Sequence, residues 1–343
     1  DVGVPWAWRK PEAEADTLGF NLLIYTPGEP GQSNIHEGEE WPRQLRELIP
    51  DIQINVTHSA GEAMELIGEA DAAFGNIVPD LFEHAEKLRW ISCPQAGPAA
   101  GYYHQALIDS DVIVTNVRGI YNDYISAHIM AFLLSFARDL PGYSRSQQKG
   151  EWNPRPIPVY LPDSTALIVG VGGIGGETAR LCAQFGITVL GVDARITIPP
   201  PDVSELHPPE ALNALLPRAN FVVMTVPETP STQGMMGADQ FRAMNPNAYL
   251  INIGRGATIK LDDLDAALRD GEIAGAALDV FETEPLPSGH PLWTAPGMLI
   301  TPHVAAASGP NLDERRTELF MDNCVRFDEG RPLRNVVDKT NWF

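Results

Sequence analysis

One stretch, ALIVGVGGIGGETARL at 166–181, constrains the fold more than any other. Four apolar residues run into glycines at 170, 172 and 175, and a run suited to a helix follows. A G-x-G-x-x-G pattern alone is weak, because glycines mark many turns. Here it links a strand to a helix, and an acid, Asp193, closes the next apolar run, ITVLGVD. In that setting Gly170 allows the tight turn, Gly172 lets the backbone approach a pyrophosphate, and Gly175 lets helix and strand pack closely. The N–H groups opening the helix attract the phosphate charge. The stretch predicts a parallel α/β sheet and a dinucleotide held at Gly170, Gly172, Gly173, Ile174 and Gly175, with Asp193 at its ribose.

A chain of 343 residues exceeds one ordinary core, so two domains are expected. Two series of strand-like runs support this. NLLIY (21–25), IQINV (52–56), RWISC (89–93) and VIVTNV (112–117) form the first. TALIVGV, ITVLGVD, NFVVMTV, AYLINI (closed by Gly254), GAALDV and MLITPH form the second. Helical stretches such as GEAMELIGEA lie between them, which predicts doubly wound parallel sheets. NDYISAHIMAFLLSFARDL (122–140) reads as a long buried helix at the domain junction, capped by Asn122 or Asp123. GEWNPRPIPVYLPD reads as an extended, proline-stiffened connection. Beyond Ala307, Leu312, Leu319, Phe320 and Phe327 fall at helical spacing.

Charge narrows the function classes. There are 45 acids against 24 bases, a net charge of −21, and no basic stripe, so no nucleic-acid partner is expected. No apolar run reaches membrane-spanning length. The first twenty residues lack a basic start followed by an apolar core, so no signal peptide is read there. Cys93, Cys182 and Cys324 lie far apart without metal-ligand spacing, which fits a reducing, cytoplasmic compartment and predicts no metal site.

Three polar residues follow three successive strands of the second series: Arg255 in INIGRGA, Glu284 in LDVFETEP, and His303 in LITPHVAAA. Singly, each has an ordinary reading, as a surface ion pair, a loop acid before Pro285, or a loop cap after Pro302. Ligands of open parallel sheets sit at the carboxyl ends of strands, so together the three predict one catalytic site.

These motifs resemble the D-isomer-specific 2-hydroxyacid dehydrogenases over roughly Asn21 to Asp338. NVRGIYNDYISAH, LIVGVGGIG, VPETPSTQGMM, INIGRGA, ALDVFETEPLP, HPLW and ITPHVAAAS stand in family order and spacing. The resemblance implies two Rossmann- or flavodoxin-like domains with a closing cleft: a substrate domain at 1–121 and 306–343, and a dinucleotide domain at 122–305. It implies interconversion of a 2-keto acid and a D-2-hydroxy acid, glyoxylate and hydroxypyruvate among the candidates, usually by a homodimer. His303 is then the acid–base, and Glu284 holds the imidazole and favours its charged form. Arg255 grips the substrate carboxylate. Gln95, Ala96 and Gly97 match the substrate loop. Asp279 matches a nicotinamide contact, and Pro227 and Thr232 the wall near the adenosine and phosphates. Val226, Ile253, Gly254, Arg255, His303 and Ala305 complete the expected cofactor contacts.

The chain departs from the family at Gly173, where a basic residue is common, and at Ala127, where Glu is common. Gly97-Pro98-Ala99 replaces a frequent Gly-Val-Asp, and Ile120 stands where some relatives carry a pocket aromatic. Formate dehydrogenases of the superfamily have Gln at the Glu284 position, which argues against that reaction here. A second reading, an NAD-sensing corepressor without turnover, shares the catalytic trio; the absence of long disordered flanks disfavours it.

Cofactor choice turns on DARITIPPP (193–201). Asp193 accepts hydrogen bonds from ribose hydroxyls and repels a 2′-phosphate, whereas Arg195 could pair with one. Asp193 sits at a fold-determined strand end, so NAD is expected before NADP.

Overall fold

The computed structural model describes residues 19–27, 40–98, 101–307 and 309–342. The signal-peptide reading falls outside these residues apart from Gly19 and Phe20, as does Ala99 of the substrate loop. The chain divides into two units, Asp1–Ile120 with Pro310–Phe343, and Tyr121–Gly309.

The first unit is built on β1 (Asn21–Tyr25), β2 (Gln53–Thr57), β3 (Ala72–Gly75), β4 (Trp90–Ser92) and β5 (Ile113–Thr115). They form a parallel sheet in the order β2-β1-β3-β4-β5, with Leu22 beside both Ile54 and Ala72. Alternate residues serve opposite cores. Leu23, Ala73, Ile91 and Val114 face one, and Leu22, Ile24, Phe74 and Trp90 the other. The helix Leu312–Asp328 lays Phe320 and Cys324 on the second face. β3 was not expected: its sequence, AAFG, has little strand propensity. Burial and close approach enforce it, for a Cβ on Gly75 would collide with the Tyr25 carbonyl.

The second unit carries β6 (Thr165–Val169), β7 (Thr188–Val192), β8 (Glu205–His207), β9 (Phe221–Met224), β10 (Tyr249–Asn252), β11 (Gly275–Leu278) and β12 (Met298–Ile300). All pairs are parallel, in the order β12-β11-β10-β9-β6-β7-β8. From β8 the chain crosses back to β9 on the far side of β6, so the strand order reverses beside the glycine turn. That reversal is where doubly wound sheets bind ligands. β8 is a short edge strand whose Glu205 pairs with Arg218 at 2.6 Å; its mixed composition gave no strand signal.

The helix Asn122–Ala137 buries Ile129, Leu133 and Phe136 against Ile168, Phe221 and Val223 of this sheet. Each fully buried apolar side chain of this size contributes about 1.5–3 kcal/mol. The expected cap is corrected: Tyr121 is the N-cap and makes no side-chain cap bond, while Asn122 and Asp123 lie inside the first turn. The helix also ends earlier than its apolar pattern suggests. Asp139 turns left-handed (φ 49°) and caps a new helix, Leu140–Gln148, by accepting from Gly142 N at 3.1 Å. Among the described residues no helix is long and apolar enough to cross a membrane. The three cysteines are free and buried, and burial pushes the Cys93 thiol up to about 11.

Candidate active site

Steric exclusion shapes the glycine turn. Gly170 has φ +95°, and a Cβ there would lie 3.0 Å from Val226 Cγ1. Gly175 would drive a Cβ into the Gly170 carbonyl, so only glycine lets the helix Gly173–Gln184 rise directly from β6. Gly172, the N-cap, has nothing within 4 Å of where its Cβ would stand. Backbone N–H groups beside open space at a helix start suit a pyrophosphate, so the residues fit a dinucleotide.

Asp193 ties this turn to the end of β7. Its Oδ2 accepts from Val171 N at 2.9 Å, and its Oδ1 from Arg195 N at 2.8 Å and Ile196 N at 3.0 Å. An ionised carboxylate has about four acceptor positions, so one remains for a ribose hydroxyl. Arg195 has an exposed side chain. Ile174, Val226 and Pro227 are partly buried, and Ile253 is buried. Thr232 uses its hydroxyl within its own turn, donating to Pro227 O at 2.7 Å and accepting from Thr229 N at 2.8 Å. A residue that sequence reasoning did not place at this site is Asn122: a Cβ on Gly173 would fall 2.6 Å from its Nδ2. Asn122 thus fills the space beside Gly173 that a side chain there would need.

The three residues expected to form the catalytic site come from loops after β10, β11 and β12. Arg255 follows β10 in extended conformation, and its carbonyl accepts from Asn252 Nδ2 at 3.0 Å and Thr258 Oγ1 at 2.7 Å. Asn252 was also missed; a buried amide ending an apolar strand was the available signal. Burial pulls the guanidinium below its ordinary pKa, opposed by the carboxylates of Glu228 and Glu284. Gly256 stands so close to the Phe281 backbone that any Cβ would collide with it. Phe281 N in turn donates to Glu284 Oε1 at 2.9 Å. A backbone contact therefore brings the arginine loop to the glutamate loop.

Glu284 Oε2 lies 2.7 Å from His303 Nδ1. A carboxylate accepts, so Nδ1 carries the proton and Nε2 is left to exchange one with a substrate. His303 has φ +52°, a left-handed conformation uncommon outside glycine. Its N–H holds that conformation by donating to Asp279 O at 2.8 Å and Thr301 O at 3.1 Å. Asp279, expected at the nicotinamide, is only 1% exposed and binds the protein itself. Its Oδ1 accepts from Thr301 Oγ1 at 2.5 Å and Val304 N at 2.9 Å, and its Oδ2 from Ala305 N at 3.0 Å.

Gln95, Ala96 and Gly97 lie in the first unit. Cys93 Sγ donates to Gln95 Oε1 at 3.3 Å, and Asn116 Nδ2 donates to Ala96 O at 2.9 Å. Ile120 is buried, and its carbonyl accepts from Arg315 Nη1 at 2.8 Å.

Residues 130–305 match the family model described as D-isomer specific 2-hydroxyacid dehydrogenase, NAD binding domain. A D-3-phosphoglycerate dehydrogenase of Methanocaldococcus jannaschii is 31% identical over 307 residues, covering 87% of this chain and 57% of that protein. A glyoxylate reductase of Korarchaeum cryptofilum is 32% identical over 269 residues, covering 76% of this chain and 79% of its own. Among solved structures, a D-isomer specific 2-hydroxyacid dehydrogenase from Xanthobacter autotrophicus Py2, in complex with NADPH and MES, superimposes with TM-score 0.81. It is 28% identical, and the match covers 95% of this chain and 100% of that one.

Proposed function

The chain belongs to the D-isomer-specific 2-hydroxyacid dehydrogenase family, and from that premise we propose that it interconverts a 2-keto acid and a D-2-hydroxy acid with a nicotinamide dinucleotide. The observation that carries this is the 2.7 Å pairing of Glu284, on the loop after β11, with His303, on the loop after β12, beside the loop after β10 that carries Arg255. The nicotinamide, when bound, supplies or takes up the hydride. Arg255 binds the substrate carboxylate through its planar fork. Glu284 keeps the His303 proton on Nδ1, so that Nε2 of the charged ring gives its proton to the keto oxygen during reduction and Nε2 of the neutral ring takes one during oxidation. We assign Gln95, Ala96 and Gly97 to substrate recognition, and the second unit to the dinucleotide through Gly170, Gly172, Gly175 and Asp193.

The remaining negative acceptor position on Asp193 supports NAD as the preferred cofactor. The relative with bound NADPH and the exposed Arg195 support the opposite choice. We further propose a homodimer: Trp152 is 98% exposed, and Leu140, Tyr143, Ile157 and Tyr160 on the same segment are exposed too. The free thiols support a reducing, cytoplasmic setting. The test is a panel of glyoxylate, hydroxypyruvate and bulkier 2-keto acids, each assayed with NADH and NADPH. Turnover of one or more is expected. Dinucleotide binding without turnover of any would favour the sensor reading instead. Sedimentation analysis checks the dimer, and a monomer at micromolar concentration would overturn it.

A further inference from the structure

His128 lies on the buried helix, well before the loop that carries His303 in sequence, and its Nε2 stands 3.1 Å from Thr301 Oγ1. Hydrogen-bond bookkeeping settles who donates. A threonine hydroxyl has one proton and accepts through its lone pairs, whereas an ionised carboxylate only accepts. Thr301 Oγ1 donates to Asp279 Oδ1 at 2.5 Å, so its single proton is committed there. Nε2 of His128 must then be the donor to Thr301, and the neutral ring carries its proton on Nε2. His128 Nε2 is 3.9 Å from Asp279 Oδ1, beyond a direct hydrogen bond, so the hydroxyl is the intermediary.

The ring is held for this task. It meets Phe132, one helical turn on, edge to face, with centroids 4.6 Å apart and planes at 86°. Its neighbours Ile129 and Leu133 are wholly buried in the core of the second unit. At the other end of the chain of bonds, Asp279 joins the acid–base loop at successive residues. Its side chain takes the Thr301 hydroxyl and the N–H groups of Val304 and Ala305, and its carbonyl takes the His303 N–H. A carboxylate that is 1% exposed must have its acceptors met, and the loop wraps around it to do so.

We propose that His128 and Thr301 are positioning residues for the acid–base histidine: the His128 Nε2–H, relayed by the Thr301 hydroxyl, orients the Asp279 carboxylate so that the 301–305 loop presents His303 in its left-handed conformation. Without the imidazole, the Thr301 hydroxyl is free to rotate, and Asp279 Oδ1 loses a partner fixed in direction. This proposal rests on the dehydrogenase reading in assigning acid–base work to His303.

The test compares His128→Ala, Thr301→Val, the double variant and His128→Gln, whose side-chain amide can restore a donor. In His128→Ala, kcat should fall about tenfold, as small misplacements of reacting groups do. KM for the keto acid and Kd for NADH, read by protein fluorescence, should stay within about twofold. Thr301→Val should do the same, the double variant should be no worse than the poorer single, and His128→Gln should recover most of the loss. Wild-type kcat in His128→Ala, or losses that multiply in the double variant, would overturn the relay. A second readout needs no turnover. In 15N-histidine spectra, the signals that vanish in His128→Gln should report an Nε2–H tautomer and should shift in Thr301→Val. An Nδ1–H tautomer would overturn the relay. If no 2-keto acid is turned over by the wild type, the dehydrogenase reading fails, and these spectra still decide the hydrogen-bond chain.

Discussion

The glycine turn after β6 and the histidine loop after β12 lie at the same end of one parallel sheet, yet they are built in opposite ways. The turn is shaped by missing side chains: Gly175 meets the Gly170 carbonyl, and Gly172 borders open space. The loop is shaped by side chains that reach across sequence, from Asp279, Glu284 and His128 to residues 301–305. A steric device is local and tolerates almost no addition. A hydrogen-bonded device is distributed, and its parts fail by degrees. The two should therefore respond differently to substitution.

The sharpest contrast lies within the turn. Gly175→Ala places a methyl group against backbone that cannot give way, and overpacking of that kind costs about 1–3 kcal/mol, or more. In a unit of this size that is about 2–4 °C of melting temperature per kcal/mol. NADH binding should be lost along with the displaced helix. Gly172→Ala adds the same methyl where nothing stands within 4 Å. Its melting temperature should match wild type while NADH affinity falls, because the methyl occupies the approach of the pyrophosphate. Differential scanning fluorimetry with and without NADH separates them. Equal melting temperatures for the two variants would mean that steric exclusion does not shape the turn.

The next effect is confined to chemistry. Arg255→Ala removes the guanidinium but leaves the loop in place, since Asn252 and Thr258 hold the backbone carbonyl and not the side chain. Loss of a charge-assisted hydrogen bond of about 1.5–3 kcal/mol lowers kcat/KM by roughly ten- to a hundredfold. Kd for NADH should stay within about twofold of wild type. Near-normal turnover in this variant would remove Arg255 from the substrate site.

The same contrast explains which features were legible in the sequence. Gly170, Gly172, Gly175 and Asp193 fall within a short span, and each is demanded by its immediate neighbours, so the turn and its sheet were legible. Arg255, Glu284 and His303 were legible as polar residues at strand ends. The role of Asp279 as the anchor of the histidine loop was not, because its partners lie 22–26 residues away and two of them are backbone N–H groups. His128 lies 173 residues from Thr301, on a helix whose apolar pattern marked only burial. β3 escaped notice because alanine and glycine carry no strand pattern; it is a strand through its neighbours' packing. Asn122 read as a cap by residue type, but the structure sets it one position inside the helix, against Gly173.

The smallest expected effect falls where the two devices meet, at Asp193, whose side chain holds the glycine turn by a hydrogen bond. Asp193→Ala has two consequences of different kinds. Val171, Arg195 and Ile196 lose the acceptor of their N–H groups, and Val171 is buried. That loosens the turn, and it should lower kcat/KM with either cofactor. The variant also removes a negative charge from the strand end proposed to take the adenosine ribose, and that change should favour only the cofactor with a 2′-phosphate. A screened repulsion of roughly 1 kcal/mol corresponds to about a fivefold change. The ratio of kcat/KM for NADPH to that for NADH should therefore rise about fivefold even as both values fall. Wild type should prefer NADH. A wild type that prefers NADPH, with a ratio unmoved by Asp193→Ala, would show that Arg195 governs the pocket and that Asp193 serves the turn alone.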